Sequence, residues 1–499
     1  TVMSYKTHLA IFVILAFLVR QYRIHSPLAD WHSWRQADTS AVTRNFVRYG
    51  IDVFYPRYDD LSSVASGKPN PEGYRFVEFP LYNIFAVIVD KLFPGYTVEY
   101  SGRLTSIFAS LGTLVFLSLL VKKYIGNRVS LLTAFFFAVL PYNIYWSRVI
   151  LPEPMLTMLT MGMLFWFDKW VETDKKRYWI FAVLFGTCGL LVKFTAIFFV
   201  IPMFYLAWRK WKWDIFKNSW IYLFAGLMLV PFFAWRLHIS RFPEGIPAFM
   251  WLFNGNGIRF KGAWFWWLFA ERIAKLILGG WGIGLLIIGL IREVKDIGKT
   301  KGQWLFHFWG LGMLMYLIVF ATGNVQHDYY QIILVPILCV FLARGADLLI
   351  LGTIGIFHPW LSRVILTVSI IFMLMFGWYQ ARDFFNINHP EIVEAGQEFE
   401  RRVSNTKVRV IAPYGGDSAF LYQTGRRGWP LVEGTVDDMI KKGAHYFVSV
   451  TFDQLTNEII SIALDIEQGK DTLHSYKIID LTDKFVIIQL VPDKMLPQS

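Results

Sequence analysis

The sequence predicts an α-helical polytopic membrane protein of about 11 transmembrane helices with a small C-terminal extracytoplasmic α/β domain. Three observations predict it. Hydrophobic residues make up 55% of the 499 and charged residues only 17%, whereas soluble domains carry roughly a quarter of their residues charged. The apolar residues fall in runs near the roughly 20 that a helix needs to cross a bilayer. The Lys and Arg behind the net charge of +12 cluster in short loops between those runs, which is the positive-inside pattern rather than a nucleic-acid surface.

In order, the runs are His8 to Tyr22, Ser101 to Val121, Val129 to Trp146, Pro154 to Trp170, Tyr178 to Val192, Phe194 to Trp208, Trp220 to Leu237, Ile273 to Ile291, Trp304 to Ala321, Tyr330 to Leu349 and Leu361 to Trp378. The first has no small-residue cleavage site after it and reads as a retained helix. Phe79 to Phe93 is also apolar but short, and it holds Asp90 and Lys91. Reading it as interfacial or re-entrant places Lys122, Lys123, Arg128, Lys175 to Arg177, Arg209, Lys210, Lys212, Arg292, Lys295, Lys299 and Lys301 on the cytoplasmic side. The loop 25–100, the turn Tyr142 to Glu153, His238 to Arg272 and Thr322 to Tyr329 then lie outside, as does everything after Tyr379. The expected domains are therefore 1–379, which includes that loop, and 380–499.

The C-terminal part alternates a helix at Glu391 to Val403 with strands at Val408 to Ala412 and Tyr446 to Val450, and two more within Tyr476 to Val491. Short alternating elements of this kind make an α/β domain. Cys188 and Cys339 both lie in apolar helices, which argues against a disulfide framework or a cysteine metal site. No GxxxxGK[ST], HExxH or GxSxG motif is present, which disfavours ATP-driven and serine-based chemistry.

Three polar constellations can carry chemistry. The first loop holds Asp30-Trp-His-Ser-Trp-Arg-Gln-Ala-Asp38, a helical stretch to Gly50 with Arg44 and Arg48, Tyr55-Pro-Arg-Tyr-Asp-Asp60, and Glu78-Phe-Pro-Leu-Tyr82. Carboxylates there can serve as a general base and arginines can grip phosphate; the same charges also fit a solvated loop. The second is Ser147-Arg148 with Glu153 five positions on, at a helix-helix turn where a carboxylate is costly to dehydrate. An Arg148–Glu153 ion pair that fixes the turn explains it equally. The third is His327-Asp-Tyr-Tyr330-Gln before a Pro-containing helix. His327 and Asp328 suit a metal, but the further ligands of a zinc site are missing from the sequence around them. Lys193 stands alone between two apolar helices and suits an anionic head group or simple snorkelling.

These residues resemble a family, the GT-C glycosyltransferases of the protein O-mannosyltransferase and aminoarabinose lipid A transferase type. The likeness rests on the acidic motif after the first helix, Phe79 to Tyr82, Gly102-Arg-Leu-Thr-Ser106, Ser147-Arg148, Leu191-Val-Lys-Phe-Thr-Ala196 and the histidine-tyrosine entry to a late helix. His32-Ser-Trp-Arg-Gln-Ala-Asp-Thr39 and Gly425-Arg-Arg-Gly-Trp-Pro430 look like a bacterial branch of these enzymes. The resemblance implies transfer of a sugar, with inversion, from a polyprenyl-phosphate donor to a glycan, lipid or protein acceptor at the outer face of the plasma (inner) membrane. No cofactor is assigned and a divalent metal is left open; membrane lipids are partners and nucleic acid is not.

It implies Asp38, Asp30 and Glu153 as catalytic residues, and His32, Arg35, Glu78, Arg148, Lys193, Arg259, Lys261, His327 and Tyr330 as substrate-binding residues. The chain departs from the family pattern in three places. An Asp-Glu pair is replaced by Asp30 and Asp38, an Asp by Glu153, and a Lys by Glu78. Asp38 is favoured as the base because it begins the helix that runs to Gly50, where the helix N-terminus helps keep it ionised; the same position suits an N-cap. A transporter or flippase of lipid-linked or envelope substrates is the alternative, as is a silent scaffold. A transporter would set its charges near the membrane midplane, whereas these carboxylates sit at outer helix ends.

Overall fold

A computed structural model of the chain describes residues 4–296, 304–352, 358–471 and 473–498. Lys299 and Lys301 of the basic-loop reading lie outside these residues, and the side chains of Arg292 and Lys295 are likewise not described. The chain forms two compact units. One comprises 1–24, 103–237 and 249–385, and the other 25–102, 238–248 and 386–499. The first loop, grouped from sequence with the membrane part, thus clusters with the C-terminal segment.

The first unit is helical. Every expected apolar run falls on helix, but several are broken. Val129 to Trp146 divides into Asn127–Val139 and Pro141–Trp146, because proline has no N–H to continue the ladder. Ile273 to Ile291 is not one straight helix, since the chain bends by 112° between Gly262–Ile277 and Gly282–Ile291. Gly279 and Gly280, at φ +55° and +74°, make that corner. Among the described residues, four helices are long and apolar enough to cross a membrane: Val98–Tyr124, Ser219–Ile239, Tyr330–Leu351 and the one that starts at Pro359; the bent pair makes five if it is one span.

Helices within this unit approach closely where side chains vanish. A Cβ on Gly289 would lie 1.9 Å from the Phe341 carbonyl oxygen, and one on Gly345 would lie 2.0 Å from that of Leu285. Gly282–Asp296 and Val335–Leu351 therefore touch backbone to backbone, the contact that small residues permit between helices lacking a hydrophobic drive to associate.

The second unit is built on a mixed five-stranded sheet. Its strands are β1 (Arg409–Ile411), β2 (Arg427–Trp429), β3 (Tyr446–Ser449), β4 (Lys477–Leu481) and β5 (Val486–Gln489), in the order β2-β1-β3-β5-β4. β1 is parallel to β2 and β3, and β5 is antiparallel to β3 and β4. Successive residues alternate between faces. Val410, Val448 and Ile487 enter one buried cluster, which Ala29 joins. Ile411, Phe447, Ile488 and Trp429 enter the other, which Leu61 joins. The first loop thus supplies core on both faces.

That loop also extends the sheet. Asp60 forms a parallel bridge to Gly428, whose N–H donates to the Asp59 carbonyl at 2.9 Å and whose carbonyl accepts from Leu61 at 2.7 Å. Only glycine fits there, because a Cβ on residue 428 would lie 1.8 Å from the Val410 carbonyl oxygen. Leu81–Leu92 is a 12-residue helix, about 18 Å long at the usual rise and shorter than a bilayer core. Its Phe85, Ile88 and Leu92 are exposed while Tyr82, Asn83 and Ala86 are buried.

Candidate active site

Asp38 does not begin its helix. The helix runs Ser33–Tyr49, and His32 caps it in a left-handed conformation (φ 53°) with no side-chain cap bond. Ser-Trp-Arg-Gln-Ala continues the helical pattern back from Asp38, so the carboxylate sits in the second turn, beyond reach of the orphan amides at the N-terminus. Its charge is balanced by side chains instead. Arg75 Nη2 lies 2.7 Å from one carboxylate oxygen, and the Ser418 hydroxyl donates to the other at 2.6 Å. Asp38 and Arg75 are both buried.

The Arg75 guanidinium also lies over the Tyr58 ring, 5.0 Å from its centroid. Next along is Asp60, whose carboxylate accepts from the Ser62 amide at 2.7 Å. Burial pushes its carboxyl up to about 6 against the bonds from Ser62, with Asp38 adding to the rise. Asp417 is raised too, by burial first and then by Asp38. Asp60 and Asp417 therefore both feel the charge of Asp38, the arrangement that spreads proton affinities apart. Arg75, Ser418 and the Asp60 environment were not legible as a site, since each depends on partners far away in the sequence. The weak signal was Arg75 itself, a cation between Tyr74 and Phe76.

The other first-loop candidates lie in the same unit. Arg35 and Glu78, both expected to bind substrate, form an ion pair with each other at 2.5 Å. Arg35 also donates to Thr39 Oγ1 at 3.1 Å. Asp30, the second candidate base, accepts from Gln36 Nε2 at 3.0 Å and is buried. The His32 ring meets Trp31 edge-on. Further along the helix Arg44 is ion-paired with Asp59 and stacks on Tyr422, 4.0 Å from the ring centroid. Burial works against the Arg44 charge, but Asp59, Tyr422 and Glu99 outweigh it and raise its proton affinity.

The candidates of the helical unit gather at helix ends. Glu153 is the first residue of the helix Glu153–Thr173. It is ion-paired with Lys193, which sits in extended backbone between Lys176–Val192 and the turn Phe194–Phe199. The other carboxylate oxygen of Glu153 is buried and accepts no hydrogen bond among the described residues. Lys193 Nζ lies 4.8 Å from the Tyr330 ring centroid, and the His327 ring stacks on Tyr329 and Tyr330 at 5.3 and 5.6 Å. Glu153, Lys193, Tyr330 and His327 are thus brought together.

Arg148, buried, donates to the Arg23 carbonyl at 3.1 Å and lies 4.8 Å from the Phe385 ring centroid. Arg259 is placed differently. It donates to the carbonyls of Ile318, Val319 and Phe253, and so caps the C-terminus of Trp304–Val319 in the way the helix dipole favours. Lys261 Nζ donates to the Asn256 carbonyl at 2.8 Å. Asp328 faces Arg272 at 3.9 Å, and no group of three or more metal-ligating side chains occurs among the described residues.

No curated protein matches the chain in sequence. The family model described as dolichyl-phosphate-mannose-protein mannosyltransferase matches residues 77–237. Among solved structures, the chain is similar to ArnT from Cupriavidus metallidurans bound to undecaprenyl phosphate. That match has a TM-score of 0.64 and 13% identity, and it covers 98% of this chain and 99% of that one. The apo state of the same protein gives 0.66 and 12%, over the same shares of the two chains. The apo oligosaccharyltransferase of Archaeoglobus fulgidus gives 0.58 and 10%, covering 93% of this chain and 70% of that one. The fold is thus shared with ArnT over nearly the whole of both chains, and the chain resembles a GT-C glycosyltransferase in fold, and in sequence over residues 77–237.

Proposed function

We propose that this protein is an integral membrane glycosyltransferase that moves a sugar from a polyprenyl-phosphate donor to an acceptor hydroxyl at the outer face of the inner membrane. The observation that carries the proposal is Asp38, a buried carboxylate held from both sides by Arg75 and Ser418, in a chain whose fold matches that of a protein that binds undecaprenyl phosphate. The match of residues 77–237 to a mannosyltransferase family supports the same reaction class.

In this reading Asp38 takes the proton of the acceptor hydroxyl, and Asp30 is the fallback. The oxygen then bonds to the anomeric carbon as the bond from that carbon to the lipid phosphate breaks on the opposite face, which inverts the centre. The phosphate leaves with the bonding electrons. Within the helical unit, Lys193, with Tyr330 and His327 beside it, is suited to bind an anionic phosphate head group. Glu153 neutralises Lys193 until phosphate competes for it. Arg35 and Glu78, paired in one unit, help order the first loop. The C-terminal segment lies on the extracytoplasmic side in this reading.

Two measurements test the proposal. Mass spectrometry of the lipid that co-purifies should find a polyprenyl phosphate or its glycoside. Protein incubated with polyprenyl-phosphate mannose, glucose, galactose and aminopentose should release polyprenyl phosphate only when an envelope lipid extract supplies acceptor. Movement of an intact donor across vesicles without release would point to a transporter instead.

A further inference from the structure

We propose that Ser418, in the C-terminal segment, is a positioning residue for Asp38: it fixes the direction of the carboxylate. This rests on the reading of Asp38 as the base. Ser418 follows Gly415, Gly416 and Asp417 in a turn where both glycines have positive φ, 63° and 85°. The turn is anchored to the end of the Gly425-to-Pro430 motif, since the amides of Tyr414 and Gly416 donate to the Pro430 carbonyl at 2.9 and 3.2 Å. Asp417 then caps the helix Ser418–Gln423 by accepting from the Ala419 amide at 2.7 Å. These bonds leave the Ser418 hydroxyl 2.6 Å from Asp38 Oδ1 and 3.3 Å from the Trp34 carbonyl.

The rest of that short helix is clamped along the helix of Asp38. Tyr422 bonds Ser40 at 2.7 Å through its hydroxyl, and its carbonyl accepts from Arg44 at 3.0 Å. Ser418, Ser40 and Arg44 therefore hold two helices in one register, with the acid between them. The strand that carries Gly428 locks the first loop from the other side, through Asp59 and Leu61. This gives the Gly425-to-Pro430 motif a role that its sequence does not disclose: it ties the C-terminal turn to the loop that holds the acid.

A hydrogen bond donated to a carboxylate is stronger than one between neutral groups. Ser418→Ala should therefore shift the infrared carboxylate band of Asp38 in the purified full chain at fixed pH; the spectrum needs no substrate, and the Asp38 band is assigned by its loss in Asp38→Asn. Ser418→Thr should restore the wild-type band position, and Ser418→Cys, with a weaker donor, should fall between; the latter two serve if Ser418→Ala does not fold. Equal band positions in wild type, Ser418→Ala and Ser418→Cys would overturn the inference. If Asp38→Asn keeps full transfer activity while Ser418→Ala still moves the band, the assignment of the base fails and the positioning role of Ser418 stands.

Discussion

Arg75 and Asp38 form a buried ion pair, 2.7 Å between Nη2 and Oδ2, joining two parts of the first loop. Removing one partner of such a pair strands the other without compensation, whereas removing both charges together costs far less. Arg75→Ala should lose about 3–5 kcal/mol of stability, and Arg75→Gln combined with Asp38→Asn should lose less than Arg75→Ala alone. Denaturation of the three proteins in the same detergent measures this, and a larger loss in the double variant would refute the pairing.

Asp60 gives the second unit a pH dependence. Its carboxyl is raised by burial to about 6 when folded, above the roughly 3.9 of an unfolded chain. The folded state then binds the proton more tightly, so the contribution of Asp60 to stability is fully present below about pH 4 and is lost as pH rises through about 6. At neutral pH this amounts to about 3 kcal/mol. Asp60→Asn should flatten that part of the stability-versus-pH curve and raise stability at pH 7. An unchanged slope between pH 4 and 7 would show that Asp60 is not its source.

Lys193 neutralises Glu153, which is buried at a helix start. Lys193→Ala should therefore destabilise the helical unit by several kcal/mol, and adding Glu153→Gln should recover most of the loss. Thermal melts of the single and double variants separate this from a pure effect on the donor, which would leave the melting temperature alone.

The contact of Gly345 with the Leu285 carbonyl leaves no room for a methyl group. Gly345→Ala should cost about 1–3 kcal/mol, as overpacking does, and Gly345→Val more. Tryptophan-fluorescence melts in detergent would show it; an unchanged midpoint in Gly345→Val would mean that the helices are not in backbone contact.

The orientation drawn from the basic loops puts Lys122 and Asp437 on opposite sides of the membrane. Cysteine introduced at each exposed position should react with an impermeant maleimide from opposite faces of sealed vesicles. Reaction of both from one face would reverse the scheme for one of them.

The helices were legible because each apolar run marks itself. Their breaks were legible only in part, since Pro141 signals one, whereas the corner at Gly279 and Gly280 depends on two positive φ values that an apolar run conceals. β2 was missed, because Arg-Gly-Trp carries no alternation of its own. It becomes a strand because Gly428 can lie against Val410 on one side and Asp59 to Leu61 on the other. Asp38 was found as an acid in a helix, but its supporters were not. Ser418 is 380 positions away, and only folding brings the two together. The helix start was misplaced because His32 caps it through a left-handed backbone that its side chain does not announce.

The most direct test of the account compares wild type with Asp38→Asn, an isosteric change, for acceptor-dependent release of polyprenyl phosphate from the donor that the wild type turns over. Loss of a positioned general base predicts a rate lower by about 10²–10⁴-fold, measured at a temperature where both proteins are folded, since Asp38→Asn also leaves Arg75 without its partner. Equal release by the two proteins would contradict the assignment of Asp38 as the base.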